Sequence, residues 1–389
     1  MKTRKALLFA RDPGAANTVI PLVSPLQERG VDVLLVGKDA AKSRFALFQL
    51  PFQELAEELR LSTSQCRWRE ENVDLFARFL QDNQVDLVVT GTGSDDFSEK
   101  YLWLAARRRG IPSLAILDHW LNFGVRFSRF PLLELARYEE NKEHDCVPTI
   151  ICVLDASVKH EMVEQGFSPE IIQVTGQPYF DLLLRQAQAV QPERVDEFRE
   201  KVMEFPKDGK LLSFISENIS EAEKGQDLEK YFWGYTERFE LENVLRVVKN
   251  LSGKHPPITL LVRPHPNEVL DVYSDLLCSK RGKHFSVVLD RKADPFVLMK
   301  ASDLLIGMTS MFLIEGAILG RPILSVQVGL SRPDPFVLST RGYAPSVLDL
   351  VTLRQRFEDF FAGKELPGKP FSISPGSTQK VMHILEGWL

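Results

Sequence analysis

The stretch Asp303–Val326, DLLIGMTSMFLIEGAILGRPILSV, constrains the fold more than any other part of the chain. Leu304-Leu305-Ile306 is a short uninterrupted apolar run, which reads as a buried parallel strand. Gly307 breaks it. Thr309 and Ser310 stand where a helix N-cap belongs, ahead of the apolar face Leu313, Ile314, Ala317 and Ile318. Gly320 ends that helix, and Pro322–Val326 is the next strand, so the whole is one βαβ unit. Its hydroxyl-bearing turn lies at the carboxyl end of a strand, with a helix N-terminus pointing into it. Unpaired backbone N–H groups and the helix dipole both favour an anion there. Glu315 is too far into the helix to cap it and could instead face the ribose hydroxyls of a ligand, although an ordinary βαβ unit with a good N-cap explains the stretch equally.

A second unit lies upstream. The apolar strand Ile258–Val262 runs into Arg263-Pro264-His265-Pro266-Asn267-Glu268, with a helix expected from about Val269. Two prolines stiffen the turn and remove two backbone donors. They present an arginine, which binds phosphate as a planar fork, and an imidazole, which donates to phosphate oxygens or exchanges a proton near neutral pH. Two such turns in one parallel sheet point to a shared site.

Arg263-Pro264-His265-Pro266, followed by Thr309-Ser310 and Glu315-Gly316-x-x-x-Gly320-x-Pro322, resembles the C-terminal half of GT-B glycosyltransferase-like proteins. The pattern is shared by non-hydrolysing UDP-N-acetylglucosamine 2-epimerases, CDP-glycerol glycerophosphotransferases and bacterial sialyl- and Kdo-transferases. The resemblance covers the C-terminal third by motif and the N-terminal half by architecture. It implies that His265, Thr309 and Ser310 contact nucleotide phosphates and that Glu315 contacts the ribose or base.

Composition sets the outer bounds. With 389 residues the chain is long enough for two cores, and 44% hydrophobic with 26% charged residues is the balance of a soluble globular protein. A net charge of -5 argues against a general nucleic-acid binder. No apolar run reaches the roughly 18 residues of a membrane-spanning helix. The apolar part of MKTRKALLFA is too short for a signal-peptide core. Cys66, Cys146, Cys152 and Cys278 have no metal-type spacing, so a reduced cytoplasm is expected.

The N-terminal half repeats the strand-end pattern. Strand Lys5–Ala10 feeds Arg11-Asp12-Pro13-Gly14-Ala15-Ala16-Asn17, then a helix over Thr18–Glu28 and a strand over Val31–Val36. Small residues let a ligand approach the backbone, although a tight strand-helix turn explains them equally. It is neither a dinucleotide fingerprint nor a P-loop. The resemblance implies acceptor or sugar contacts at this turn, for which Gly14 and Asn17 are the candidates. Strand Asp86–Thr90 ends in Gly91-Thr92-Gly93-Ser94-Asp95-Asp96, whose acids read as caps of the next helix. Strand Ser113–Leu117 ends in Asp118-His119-Trp120, an acid and an imidazole that serve either as a general base or as part of a structural turn. Neighbours on an extended segment point to opposite sides, so one of the two is expected to face a site. Arg126 and Arg129 follow. Strands Thr149–Val153 and Ile171–Thr175 complete this half. In the second half, Lys210–Ile215 starts a new sheet and ends in Ser216-Glu217-Asn218, a helix is expected over Leu228–Asn250, and a last helix over Gln379–Trp388.

The expected fold is α/β, with two doubly wound Rossmann-like domains facing a cleft. The expected limits are 1–189 for an acceptor domain, 190–208 for a linker, 209–375 for a nucleotide-donor domain and 376–389 for a helix crossing back to the first domain. The resemblance implies a cytoplasmic, metal-independent glycosyltransferase of surface polysaccharide or glycoconjugate synthesis. The nucleotide-sugar is donor substrate, a carbohydrate is acceptor, and no cofactor is expected. Arg263, His265, Thr309 and Ser310 would neutralise the leaving phosphate, Glu315 would hold the ribose, and Ser216 would meet the donor. Asp118, His119 or Asp12 would be the base, and Arg126 would serve an acidic acceptor or donor phosphate. Peripheral membrane contact and oligomeric state stay open. The alternatives are a UDP-sugar 2-epimerase, a polyol-phosphate transferase of the CDP-glycerol or ribitol type, and a non-catalytic nucleotide-binding module. Thr309-Ser310-Met311 and the single Glu315-Gly316 depart from the epimerases' Gly-Gly-rich turn and doubled acid.

Overall fold

The computed structural model describes residues 3–60, 67–93, 96–131, 134–203, 208–222, 232–266, 268–269, 273, 281–282 and 284–389. Asp95, Asn267, Tyr231 and most of the helix expected from Val269 lie outside the described residues. The chain divides into two units, one of Met1–Leu182 with Ser374–Leu389, the other of Leu183–Ile373.

In the first unit the strands are β1 (Lys5–Ala10), β2 (Asp32–Gly37), β3 (Gln53–Glu54), β4 (Leu87–Thr90), β5 (Ser113–Ile116), β6 (Ile150–Val153) and β7 (Ile172–Val174). They form one parallel sheet in the order β3-β2-β1-β4-β5-β6-β7. β1 accounts for the continuous apolar runs. Ala6, Leu8 and Ala10 enter the core on one face, and Leu7 and Phe9 enter the core on the other. A strand covered on both faces has no polar side to alternate with.

The second unit contains β8 (Lys210–Ile215), β9 (Ile258–Arg263), β10 (Arg281–Gly282), β11 (Phe285–Leu289), β12 (Leu304–Gly307), β13 (Ile323–Val326) and β14 (Ser346–Val347). Their order is β10-β11-β9-β8-β12-β13-β14, parallel except for the two-residue edge strand β10. Leu212, Phe214, Leu304 and Ile306 share one core. On the other face Leu305 lies under Gly316, where a Cβ would overlap its Cδ1. The glycine after Glu315 thus lets helix Met311–Ile318 sit close to β12.

Four elements differ from the sequence reading. The helix expected over Thr18–Glu28 is two helices, Pro13–Val19 and Val23–Glu28, joined by a 3-10 turn containing Pro21, which cannot donate to the preceding turn. Residues 190–208 carry helix Pro192–Val202 instead of a linker. Its Arg199 donates to the Ala301 carbonyl and pairs with Asp303 at 3.2 Å. The helix expected from Leu228 begins at Glu237, capped by Thr236, because Gly234 has φ +83° and ends any helix there. The last helix is Ser377–Glu386, and its Val381, Met382 and Leu385 enter the core of the first unit. Asp181 fixes its start by accepting from the N–H groups of Gly376 (2.9 Å) and Thr378 (2.7 Å). Among the described residues no helix is long and apolar enough to cross a membrane.

Candidate functional site

Both sheets reverse their strand order at one point, between β1 and β4 in the first unit and between β8 and β12 in the second. Open α/β sheets bind ligands outside the carboxyl ends of the strands at such a point.

In the first unit, Asp12 follows β1 and caps helix Pro13–Val19, accepting from the Ala15 N–H at 2.8 Å. Asp118 follows β5. Its Oδ1 accepts from Arg126 Nη1 at 2.9 Å and Thr92 Oγ1 at 3.1 Å, and Arg126 also donates to the Thr92 carbonyl. The two carboxylates meet over Gly14: a Cβ there would overlap Asp118 Oδ2 and lie 3.3 Å from Asp12 Oδ1. Burial, and then the charge of Asp118, push Asp12 up to about 6, against the lowering by the Ala15 N–H, Arg126 and Arg11. A carboxyl group that exchanges its proton near neutral pH is suited to acid–base work.

Asp118 therefore joins Asp12, whereas His119 bonds to neither carboxylate. Its Nδ1 is buried without a partner, and burial followed by Arg126 lowers its pKa. Asn17 lies further along its helix and accepts from Arg44 Nε at 2.6 Å. Behind the pair is a second charged layer. Asp96 pairs with Lys38 and with Arg11 (3.1 Å), and it accepts from the N–H of Ser98, the first residue of helix Ser98–Arg108, at 2.8 Å. Glu99, the second residue of that helix, is fully buried. Sequence reasoning missed Lys38, Thr92 and Glu99. The available signal was the charged pair Glu99-Lys100 opening the otherwise apolar segment of Tyr101–Ala106.

In the second unit, Ser310 caps helix Met311–Ile318, accepting from the Phe312 N–H at 3.2 Å. Thr309 donates its N–H and its hydroxyl to the Glu217 carboxylate, each at 2.6 Å. The turn expected to receive an anion thus holds the protein's own carboxylate, whose pKa burial raises against the N–H and hydroxyl donors around it. Arg263 ends β9, donates to the Ala293 carbonyl at 2.9 Å and lies over the Phe312 ring at 5.3 Å. Burial lowers its pKa, while Asp290, Asp294 and Glu315 favour its charge. His265 is partly buried; burial and then Arg291 lower its pKa. Its backbone N–H donates to Glu268.

Ser216, expected to meet the donor, turns inward. Its side chain is buried and its hydroxyl bonds inward, to Glu268 at 2.7 Å and Tyr273 at 2.8 Å. It braces the Arg-Pro-His-Pro turn from behind through Glu268. Glu217, Glu268, Tyr273 and Arg291, which donates to the His265 carbonyl at 3.1 Å, were not singled out from sequence as site residues. Glu217 was signalled by its place directly after a strand end, Glu268 by its place three residues past His265. Among the described residues no group of three or more His, Cys, Asp or Glu side chains is arranged to hold a metal ion.

Neither a protein-family model nor a curated protein matches the sequence. Solved structures do. UDP-GlcNAc 2-epimerase from Neisseria meningitidis, bound to UDP-GlcNAc, superposes with a TM-score of 0.67 at 16% identity, over 98% of this chain and 100% of that one. MnaA of S. aureus, solved with UDP, gives 0.65 at 13% identity over 99% and 97%. MurG of Acinetobacter baumannii gives 0.56 at 14% identity over 99% of both chains. Likeness at this identity is likeness of fold, and the fold is that of the GT-B-like proteins: α/β throughout, with two Rossmann-like units.

Proposed function

We propose that this protein is an enzyme that acts on a nucleotide-activated sugar by acid–base chemistry, with 2-epimerisation of a UDP-sugar as the first reading. The carrying observation is the carboxyl pair Asp12 and Asp118 over Gly14, one member titrating near neutral pH and the other paired with Arg126. Epimerisation at C2 removes the C2 proton as the C1–O bond to UDP breaks, and returns a proton to the opposite face as that bond re-forms, which calls for groups that alternate between acid and base. The full-length likeness to several UDP-GlcNAc 2-epimerases supports this reading over the glycosyl transfer expected from sequence. Arg263, His265, Thr309, Ser310 and Glu315 are proposed for the nucleotide.

Glycosyl transfer is the second reading, favoured by Thr309-Ser310-Met311 and the single Glu315-Gly316. There Asp12 or Asp118 would take the proton of an acceptor hydroxyl. One experiment separates the two. UDP-GlcNAc is incubated with the protein in D2O with EDTA present and followed by proton NMR. Loss of the sugar C2 proton signal, with a second UDP-sugar appearing, is the expected result, and Asp118→Asn should abolish it. Retention of that signal, with UDP released only when a carbohydrate acceptor is added, would establish transfer instead.

A further inference from the structure

Glu99 lies on the first turn of helix Ser98–Arg108 with 0% of its surface exposed. Among the described residues, neither carboxyl oxygen bonds to another residue. The group lies against the backbone of Gly93, where a Cβ would sit 2.9 Å from Oε1 and 3.0 Å from Oε2. An ionised carboxylate buried without donors or a bonded cation is costly; a carboxylic acid is far less so.

The neighbouring cations bond to other acids. Arg11 pairs with Asp96 and Asp39, Lys38 with Asp96, and Arg126 with Asp118. Two of the described groups facing Glu99, Asp96 and Asp12, carry negative charge when ionised and oppose a third; the N–H of Glu99 itself, and then Arg11, oppose them more weakly. The helix N-terminus favours the anion, but not enough to offset complete burial.

We propose that Glu99 is a positioning residue for the acid–base chemistry of the first unit: it holds a proton at neutral pH and thereby leaves Asp12 as the carboxyl group that titrates. This rests on the acid–base reading given above. Burial first, and then Asp96 and Asp12, push Glu99 up to about 8, above Asp12 at about 6. Asp12 thus loses its proton while Glu99 is still neutral. When Glu99 ionises at higher pH, a new negative charge stands near Asp12 and strengthens its hold on a proton.

The test uses the full chain with carboxyl-13C-labelled Asp and Glu, titrated by NMR. The expected result is one Glu carbon titrating near pH 8, absent in Glu99→Gln, with the Asp12 carbon, assigned through Asp12→Asn, showing a second step at that pH in the wild type only. A protein in which no Glu carbon titrates above pH 7, or in which the Asp12 carbon is unchanged by Glu99→Gln, overturns the proposal. Should Glu99→Gln fail to fold, the test moves to Glu240→Gln, which removes the other carboxyl that burial raises to about 8: an infrared band of a protonated carboxyl that persists there and is lost between pH 6.5 and 9 upholds the proposal, and absence of the band overturns it. The D2O exchange assay is run alongside. If the wild type shows no exchange, the epimerase reading fails, while the titration still decides the role of Glu99. If it does exchange, the alkaline fall of its pH profile should disappear in Glu99→Gln, which a merely structural residue would not produce.

Discussion

The two units share a strand topology and differ in what stands at its carboxyl edge. In the first, Asp12, Asp96, Glu99 and Asp118 gather around one reversal and are balanced by Arg11, Lys38 and Arg126. In the second, Arg263, His265, Thr309 and Ser310 occupy the edge, and its acids Glu217 and Glu268 are satisfied by hydroxyl and N–H donors. Topology thus decides where side chains converge, and the few residues beyond each strand decide the chemistry. An edge neutralised by ion pairs loses a full charge when one member goes; an edge held by neutral donors loses a hydrogen bond.

The largest expected effect tests that difference directly. Arg126 and Asp118 are 11% and 13% exposed, so Arg126→Ala leaves a buried carboxylate unpaired and should cost roughly 3–5 kcal/mol in urea unfolding. Arg263→Ala in the other unit removes one bond to a carbonyl and a ring contact, for about 1 kcal/mol. Equal losses would break the comparison.

The next effect is pH-dependent. Asp12 binds its proton more tightly folded (about 6) than unfolded (3.8), so its protonation stabilises the fold below the unfolded value, and that contribution is lost as pH rises through about 6. The stability of wild type relative to Asp12→Asn should fall by an amount on the order of 3 kcal/mol across that window. A difference that stays flat with pH would mean that the pair does not interact as described.

The smallest effect lies in the second unit. Glu217→Gln keeps an acceptor for Thr309 but loses the charge, and because the site is partly open the cost should be about 1 kcal/mol by thermal unfolding. A loss as large as that of Arg126→Ala would place Glu217 in a buried network like that of the first unit.

The sheets were legible because most of their strands are covered on both faces and read as unbroken apolar runs; Lys5–Ala10 and Lys210–Ile215 appear with the limits read from sequence. That Asp12 and Asp118 stand at the carboxyl edge of the first sheet was legible because strand ends could be located. The inward turn of Ser216 was not legible because a strand-end position does not say which way a side chain turns. Helix Pro192–Val202 was missed because of its residues only Val202 is buried, which leaves no clear apolar stripe to see. Glu99 was missed for the opposite reason: a charged residue in a helix reads as surface until the fold buries it.

The last helix gives the molecule a direction in time. Its Val381, Met382 and Leu385 complete a core begun by Ala6 and Leu8, and Asp181 waits for the N–H groups of Gly376 and Thr378. A chain made from its N-terminus delivers all of Leu183–Ile373 before those residues leave the ribosome. The unit that starts first therefore closes only after the other has been made, and its acidic edge is borne on a core that stays open until then.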